Sequence, residues 1–186
     1  MSQMTDEEIA LLVQEGDTES FGVLVGRYEA KMTRYAKKFL FKKEDAADNV
    51  QEVFIKAYRN IQSFDTKRKF SPWLYRVAHN QFLNALKRKR DFIPLFDLDA
   101  LFPQYASKEN VEEEMSAKEL KQMLDKALAG LKPKYREPLI LYYFEKLDYK
   151  EIAEVLQIPV STVGVRLNRG KEIMKKQIKK MELAYD

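Results

Sequence analysis

The sequence predicts an all-α protein: two small helical domains joined by a flexible linker. Three observations carry this reading. Apolar residues recur at three- and four-residue steps through most of the chain, without strand alternation or an internal repeat. Helix start and stop signals punctuate those stretches. Between them, residues 91–112 lose the period and hold Pro94, Pro103 and three Asp. The chain has 186 residues, room for one domain or two small ones at roughly 100–200 residues each.

Each element follows from local chemistry. Thr5 caps a first helix that has Asp6, Glu7 and Glu8 in its first turn and Ile9, Leu12 and Val13 on one face. Gly16-Asp17 ends it. A long helix opens at Asp17 or Thr18 and carries Phe21, Leu24, Val25, Tyr28, Met32, Tyr35, Ala36 and Phe39 at helical spacing. A third, from about Glu44 to Ile61, buries Val50, Val53, Phe54, Ala57 and Ile61. After a polar stretch, Ser71 as N-cap and Pro72 at the first helical position start a fourth. It holds Leu74, Val77, Ala78, Phe82 and Leu86 and runs into Lys87–Arg90.

The segment 91–112 reads as an acidic linker. Its Phe92, Ile93, Leu95, Phe96, Leu98, Leu101 and Phe102 are too many for a purely solvated tether. A second helical group follows. Met115, Leu120, Met123, Leu124, Ala127, Leu128 and Leu131 mark one amphipathic helix, and Pro133 opens the next, with Leu139, Ile140, Tyr142, Tyr143 and Phe144. The expected domains are therefore residues 1–90 and 113–186.

Residues 148–176 form the strongest local motif, a helix-turn-helix. Asp148 stands three residues before Glu151, a capping-box pattern ahead of Ile152, Ala153, Val155 and Leu156. Gln157 to Val160 is the turn, with Gln157 where Gly is common. Ser161 caps a last helix with Val163, Leu167 and Ile173 toward the core. In such a motif the second helix enters the major groove of duplex DNA. Ser161 and Thr162 suit base edges; Arg166, Arg169 and Lys171 suit phosphates. An ordinary helix hairpin with a basic surface is the plainer alternative.

Composition excludes several functions. Hydrophobic residues make up 45% and aromatics 12% of the chain, enough for a core. Charged residues, at 33%, exceed the ~25% typical of soluble domains. Cys is absent, which removes disulfides, thiolate metal sites and Cys nucleophiles together. The single His leaves little for a metal site or catalytic relay. No Walker-type loop or clear carboxylate pair is present, so no enzyme activity, cofactor or metal is expected. No signal-peptide pattern or long apolar run occurs, so the expected location is cytoplasmic, without membrane insertion.

The net charge of +4 hides a strong asymmetry. Two net-basic stretches flank the net-acidic one from 91 to 118. From Thr66 to Arg90 there are eight Lys and Arg and no acid; from Arg166 to Lys180 there are seven against Glu172 alone. Such clusters are footprints for polyanions, although Lys and Arg also favour helix C-termini. Within the first domain, Asp48, Gln51 and Glu52 share a polar ridge, with Phe54 and Tyr58 nearby. An acidic ridge in a basic domain suits a protein partner, or is a plain solvated face. Residues 64–80 interleave basic and aromatic side chains, as single-stranded nucleic acid requires. Asn80 offers both a donor and an acceptor to an extruded base. Trp73 fits the core better than a base stack, and His79 has no partner recognisable in the sequence.

At these residues the chain resembles bacterial RNA polymerase sigma factors of the extracytoplasmic-function (ECF) branch. Asp48–Tyr58 (DNVQEVFIKAY) is similar to that family's polymerase-binding helix. Phe64–Asn80 (FDTKRKFSPWLYRVAHN) is similar to its −10 melting and recognition segment. Leu131–Leu167 (LKPKYREPLILYYFEKLDYKEIAEVLQIPVSTVGVRL) is similar to region four, which reads the −35 element. The resemblance covers both domains and implies roles. Asp48, Gln51, Glu52, Phe54 and Tyr58 would bind polymerase core, the first three at the beta-prime clamp helices, with the beta subunit also a partner. Phe64, Lys67, Arg68, Lys69, Arg76, Asn80, Lys87 and Arg88 would serve the −10 strand. Ser161, Thr162, Arg166, Arg169 and Lys171 would meet the −35 duplex. The linker would thread toward the RNA exit path, and an anti-sigma factor is an implied partner. The chain departs from the family pattern at Gly164 and Val165, where a basic and a small polar residue are usual. The implied function is core binding and promoter-specific initiation. The alternative is a stand-alone helix-turn-helix regulator of duplex DNA.

Overall fold

The computed structural model describes residues 4–40, 43–90 and 117–182. The linker 91–112 and Met115 lie outside them. Among the described residues the only regular elements are helices, and no helix is long and apolar enough to cross a membrane.

Helix α1 spans Asp6–Gln14. Its capping box is the expected one: Glu8 N donates to Thr5 Oγ1 at 3.2 Å, and Thr5 N to Glu8 Oε2 at 2.8 Å. The chain leaves it through Gly16 at φ +111°, where a side chain would be strained. Asp17 accepts from Ser20 N and Oγ, which holds its carboxyl below the ordinary range and sets a 3-10 turn, Thr18–Ser20. That turn runs straight into α2, Phe21–Leu40.

Helix α2 buries Leu24, Tyr28, Met32, Tyr35, Ala36 and Phe39. Helix α3, Lys43–Asn60, adds Val50, Val53 and Ala57, and α4, Phe70–Arg90, adds Leu74, Tyr75, Ala78 and Phe82. The rings of Tyr35 and Phe82 meet edge to face at 5.0 Å. Each such buried side chain contributes about 1.5–3 kcal/mol relative to an exposed one. Helix α4 starts one residue before the expected Ser71 cap. Phe70 N donates to Glu7 Oε1 at 2.8 Å, so a carboxylate from α1 satisfies the donor a local cap would have taken. Pro72 still lies in the first turn, where its missing N–H breaks no bond.

The second group holds α5, Ala117–Ala129; α6, Pro133–Leu139; α7, Tyr149–Leu156; and α8, Val160–Glu182. On α5, Met123, Ala127 and Leu128 are buried, whereas Leu120 and Leu124, placed on the same apolar face by periodicity, are exposed. After α6 the backbone widens into a π turn, Ile140–Phe144, in which Glu145 N reaches back to Ile140 O at 3.2 Å. Ile140 and Leu141 stay buried while Tyr142, Tyr143 and Phe144 turn outward.

Asp148 and Glu151 form the expected capping box of α7 at 2.8 and 2.9 Å. Gln157 takes the left-handed conformation, φ +53°, that the helix-turn-helix turn requires. A non-glycine residue there costs about 1–2 kcal/mol. Ser161 is not the cap of α8. Pro159 O accepts from both Thr162 N (2.9 Å) and Val163 N (3.2 Å), which starts the helix at Val160 and puts Ser161 in its first turn. Val163 and Leu167 face the core as expected. Helix α8 crosses α6 at Gly170, where a Cβ would stand 2.9 Å from Leu139 Cδ1 and 3.2 Å from Tyr135 O.

The two groups pack against each other. Arg34 grips Glu145 through two bonds, Nε to Oε1 at 2.8 Å and Nη2 to Oε2 at 2.7 Å; Tyr75 OH adds a third at 2.7 Å. Tyr35 OH donates to Glu137, and His79 Nδ1 lies 2.6 Å from the same carboxylate oxygen. His79 therefore has the partner that the sequence did not reveal. The Glu145 bond raises the Arg34 pKa, and burial raises the Tyr35 and Tyr75 phenols well above their ordinary value. Arg136 lies over the Phe39 ring, 5.3 Å from its centroid, and burial pulls its pKa down to about 10. Lys38 reaches both Asp125 (2.9 Å) and the Phe144 ring (4.2 Å).

Candidate nucleic-acid interface

Three surfaces carry the residues singled out by sequence. The first is the outer face of α3. Val50, Val53 and Ala57 anchor the helix from below, which leaves Asp48, Gln51 and Glu52 exposed one turn apart. Among the described side chains none pairs with these three. Phe54 is buried, and Tyr58 is exposed with its ring edge-on to Phe21 at 5.2 Å. Lys56, Gln81 and Asn49 link α3 to α4 through a chain of side-chain hydrogen bonds.

The second surface is the loop between α3 and α4 together with α4. A 3-10 turn, Ile61–Ser63, follows α3. Asp65 then organises a tight turn: Lys67 N donates to its Oδ1 at 3.0 Å and Arg68 N to its carbonyl at 2.9 Å. Lys67, Arg68 and Lys69 are thereby held outward on a fixed backbone. Phe64 lies beneath the loop, 5% exposed, in a cluster with Phe70 (5.3 Å) and Trp73 (5.2 Å). Its ring supports the turn from inside and forms no part of the exposed wall. Trp73 packs against the core, as expected. On α4, Arg76 and Asn80 lie one turn apart, the first half-buried and the second exposed; Lys87 and Arg88 follow in solvent.

Sequence reasoning missed what braces this loop. Gln14 Nε2 donates to both Ile61 O (2.7 Å) and Phe64 O (2.8 Å), and Gln62 Nε2 donates back to Gln14 O (3.0 Å). With Glu7 on Phe70 N, α1 holds both ends of the loop. Helix α1 is itself tied down by Asp6, which accepts from Arg27 Nη1 and Tyr28 OH, both at 2.6 Å. These contacts span dozens of residues, and no local spacing announces them.

Two of the three loop cations are engaged. Lys69 Nζ donates to Glu151 Oε1 at 2.7 Å, which raises its pKa, and Arg68 Nη2 lies 2.6 Å from Glu154 Oε1. Both carboxylates belong to α7.

The third surface is the outer face of α8. Ser161, Arg169 and Lys171 are exposed, and Thr162 and Arg166 half-buried. Val165 is 61% exposed, the highest exposure of any large apolar side chain among the described residues. Gly164 leaves room beside it: a Cβ there meets only Tyr149 Cε2, at 3.5 Å. The three surfaces together offer an acidic ridge, a braced cationic loop and a groove-sized helix with short polar and basic side chains. Among the described residues no group of acidic and His side chains is placed to hold a metal ion.

Two family descriptions match the chain, Sigma-70 region 2 over residues 24–92 and Sigma-70, region 4 over residues 121–174. The ECF RNA polymerase sigma factor SigW of Bacillus subtilis is 35% identical, over 90% of this chain and 93% of its own. The ECF RNA polymerase sigma-E factor of Escherichia coli is 34% identical, over 95% of each. Among solved structures, CnrH in complex with the cytosolic domain of CnrY shares the fold with a TM-score of 0.70, at 24% identity over 94% of this chain and 97% of that one. The sigma factor RpoE of Bartonella quintana, in complex with the anti-sigma factor NepR, gives 0.69 at 20% identity over 87% and 98%. An acidic ridge and a braced basic loop inside the region 2 match, followed by a helix-turn-helix inside the region 4 match, leave one conclusion: the chain belongs to the ECF subfamily of bacterial RNA polymerase sigma factors, non-catalytic subunits that bind polymerase core and promoter DNA.

Proposed function

We propose a division of labour among the three surfaces. Residues 1–90 form a region 2 domain, 91–112 an acidic linker and 113–186 a region 4 domain. The ridge Asp48, Gln51 and Glu52 docks on the clamp helices of the beta-prime subunit, with Phe54 and Tyr58 shaping its base; the beta subunit completes the core contact. Arg76, Asn80 and the loop Lys67–Lys69 surround an extruded base of the −10 element, with Phe64 as the floor beneath the loop and Lys87 and Arg88 along the strand. Melting then needs no chemistry from this chain. Contacts to extruded bases offset their unstacking, a few kcal/mol per step.

On α8, Ser161 and Thr162 approach base edges of the −35 duplex, and Arg166, Arg169 and Lys171 its phosphates. Val165, between them, suits the one apolar feature of the major groove, the thymine methyl. An anti-sigma factor is a fitting regulator, because the structural relatives CnrH and RpoE are described in complexes with CnrY and NepR, NepR being named an anti-sigma factor.

The observation that carries this reading is the α3 ridge: three polar side chains on the outer face of an amphipathic helix, exposed and unpaired among the described side chains. Run-off transcription with purified core and the full chain tests it. The wild type should initiate at discrete start sites. Reversing Asp48 and Glu52 to Lys should abolish assembly with core, while Asn80→Ala should spare assembly and weaken the open complex. Normal initiation by the charge-reversed chain refutes the ridge, and an unchanged open complex in Asn80→Ala refutes the pocket.

A further inference from the structure

Helix α8 turns Val163, Leu167 and Gly170 toward the core. At about 100° per residue, the side chains pointing most directly away from these three are Ser161, Val165, Asn168 and Glu172. All four are exposed. No cation stands in this outermost stripe. Arg166 and Arg169 flank it on one side and Lys171 on the other. A helix lying in the major groove meets base edges along such a stripe and the two phosphate walls with its flanks. Here the flanks carry the charge, and the stripe is neutral from Ser161 to Asn168. The commonest base-specific contact, Arg or Lys on guanine O6 and N7, needs a cation where α8 has none.

Asn168 is the side chain of the stripe with the most to read. Its amide presents a donor and an acceptor side by side. Adenine answers that pair with N6 and N7. Among the described residues nothing bonds to the Asn168 side chain. Helix side chains lean toward the N-terminus, so the amide lies over the turn that holds Gly164 and Val165. Gly164 puts no side chain over it, and a Cβ added there would meet only Tyr149 Cε2, at 3.5 Å. Asn168 follows Val165 by about 4.5 Å along the helix axis, at 1.5 Å per residue. Successive bases of one strand are about 3.4 Å apart, so the two side chains reach neighbouring base pairs.

We propose that Asn168 is a specificity-determining residue that reads an adenine of the −35 duplex, next to the thymine met by Val165, with Gly164 keeping its amide uncovered. This rests on the −35 reading of α8 given above. The chain then selects an A·T pair at that place and rejects guanine, and the departure of Gly164 and Val165 from the family pattern becomes a change of base preference. Loss of a good bidentate base contact costs about 5- to 150-fold in discrimination.

The test uses holoenzyme assembled from purified core and the full chain. The probe is a labelled duplex spanning the −35 element of a promoter mapped by run-off transcription. Each adenine is replaced singly by 7-deazaadenine, which pairs normally but lacks the N7 acceptor. Wild type should lose about fivefold in affinity at one adenine, and Asn168→Ala should be indifferent there. Asn168→Arg should move the preference at that pair from A·T to G·C and leave the other pairs as they were. Gly164→Leu should blunt discrimination at the same pair. Asn168 is exposed, and circular dichroism establishes that each variant is folded. Equal sensitivity of wild type and Asn168→Ala at every adenine overturns the contact. A loss in Asn168→Ala that is uniform over all sequences makes Asn168 a phosphate contact and overturns it as well. An unchanged A·T preference in Asn168→Arg does the same, and full discrimination by Gly164→Leu removes Gly164 from the reading. Wild-type holoenzyme with no sequence preference at the −35 duplex overturns the assignment of α8 itself, whereas a preference carried by other residues overturns Asn168 alone.

Discussion

At the scale of single residues, Val165 and Glu145 are opposite cases. Val165 exposes its two methyl groups in the middle of a polar helix face. Burying one thymine methyl against it is worth about 0.8 kcal/mol, close to fourfold in affinity. Replacing thymine by deoxyuridine along the mapped −35 duplex should therefore cost wild type about fourfold at one position and leave Val165→Ala indifferent there. Gel-shift titration reads both, and equal sensitivity of the two proteins argues against the contact. Glu145 is the opposite case, a charge enclosed where a hydrophobic residue is the usual occupant. Its position in the sequence, directly after Tyr142, Tyr143 and Phe144, suggests a surface carboxylate following an apolar run. The π turn rotates those three rings outward and Glu145 inward, and no helical period anticipates that inversion.

At the scale of elements, the local rules were the legible ones. Thr5–Glu8 and Asp148–Glu151 are capping boxes three residues wide, and both form as their spacing requires. The starts of α4 and α8 moved because their first donors and acceptors find partners the local pattern does not weigh: Glu7 for Phe70 N, and Pro159 O for two amides. The exposed ridge on α3 and the basic loop were readable from charge and period, but the burial of Phe64 and the acids covering Arg68 and Lys69 depend on elements far away in the chain. The two glycines of α8 separate the same way. Gly170→Ala should destabilise the protein by about 1–3 kcal/mol, because its Cβ has to push into Leu139 and the Tyr135 carbonyl. Gly164→Ala meets only an ordinary contact and should stabilise by up to about 1 kcal/mol through helix propensity. Urea unfolding followed by circular dichroism distinguishes them; equal shifts would mean that the α6–α8 crossing is looser than its geometry.

Across the whole molecule, cations pair with the chain's own carboxylates, and the proposed function gives them promoter phosphates as a second partner. Promoter binding by the holoenzyme should fall steeply with salt, the logarithm of affinity dropping by about 0.9 per logarithm of salt for each phosphate neutralised. Arg166→Ala should lower that slope by about 1 without changing the preferred sequence; an unaltered slope removes Arg166 from the phosphate contacts. The buried pairs at Glu137 and Glu145 are less screened than Lys69–Glu151 and Arg68–Glu154 at the rim. The first helix has a further bearing on how the molecule can be divided. The Sigma-70 region 2 match starts at residue 24, downstream of Glu7 and Gln14, so a fragment trimmed to that boundary loses the clasp on the loop between α3 and α4. Phe70 N and the Phe64 carbonyl would turn to water, and the Ile61 carbonyl would keep only Phe64 N. A fragment that keeps this loop braced has to begin no later than Thr5, the cap of α1.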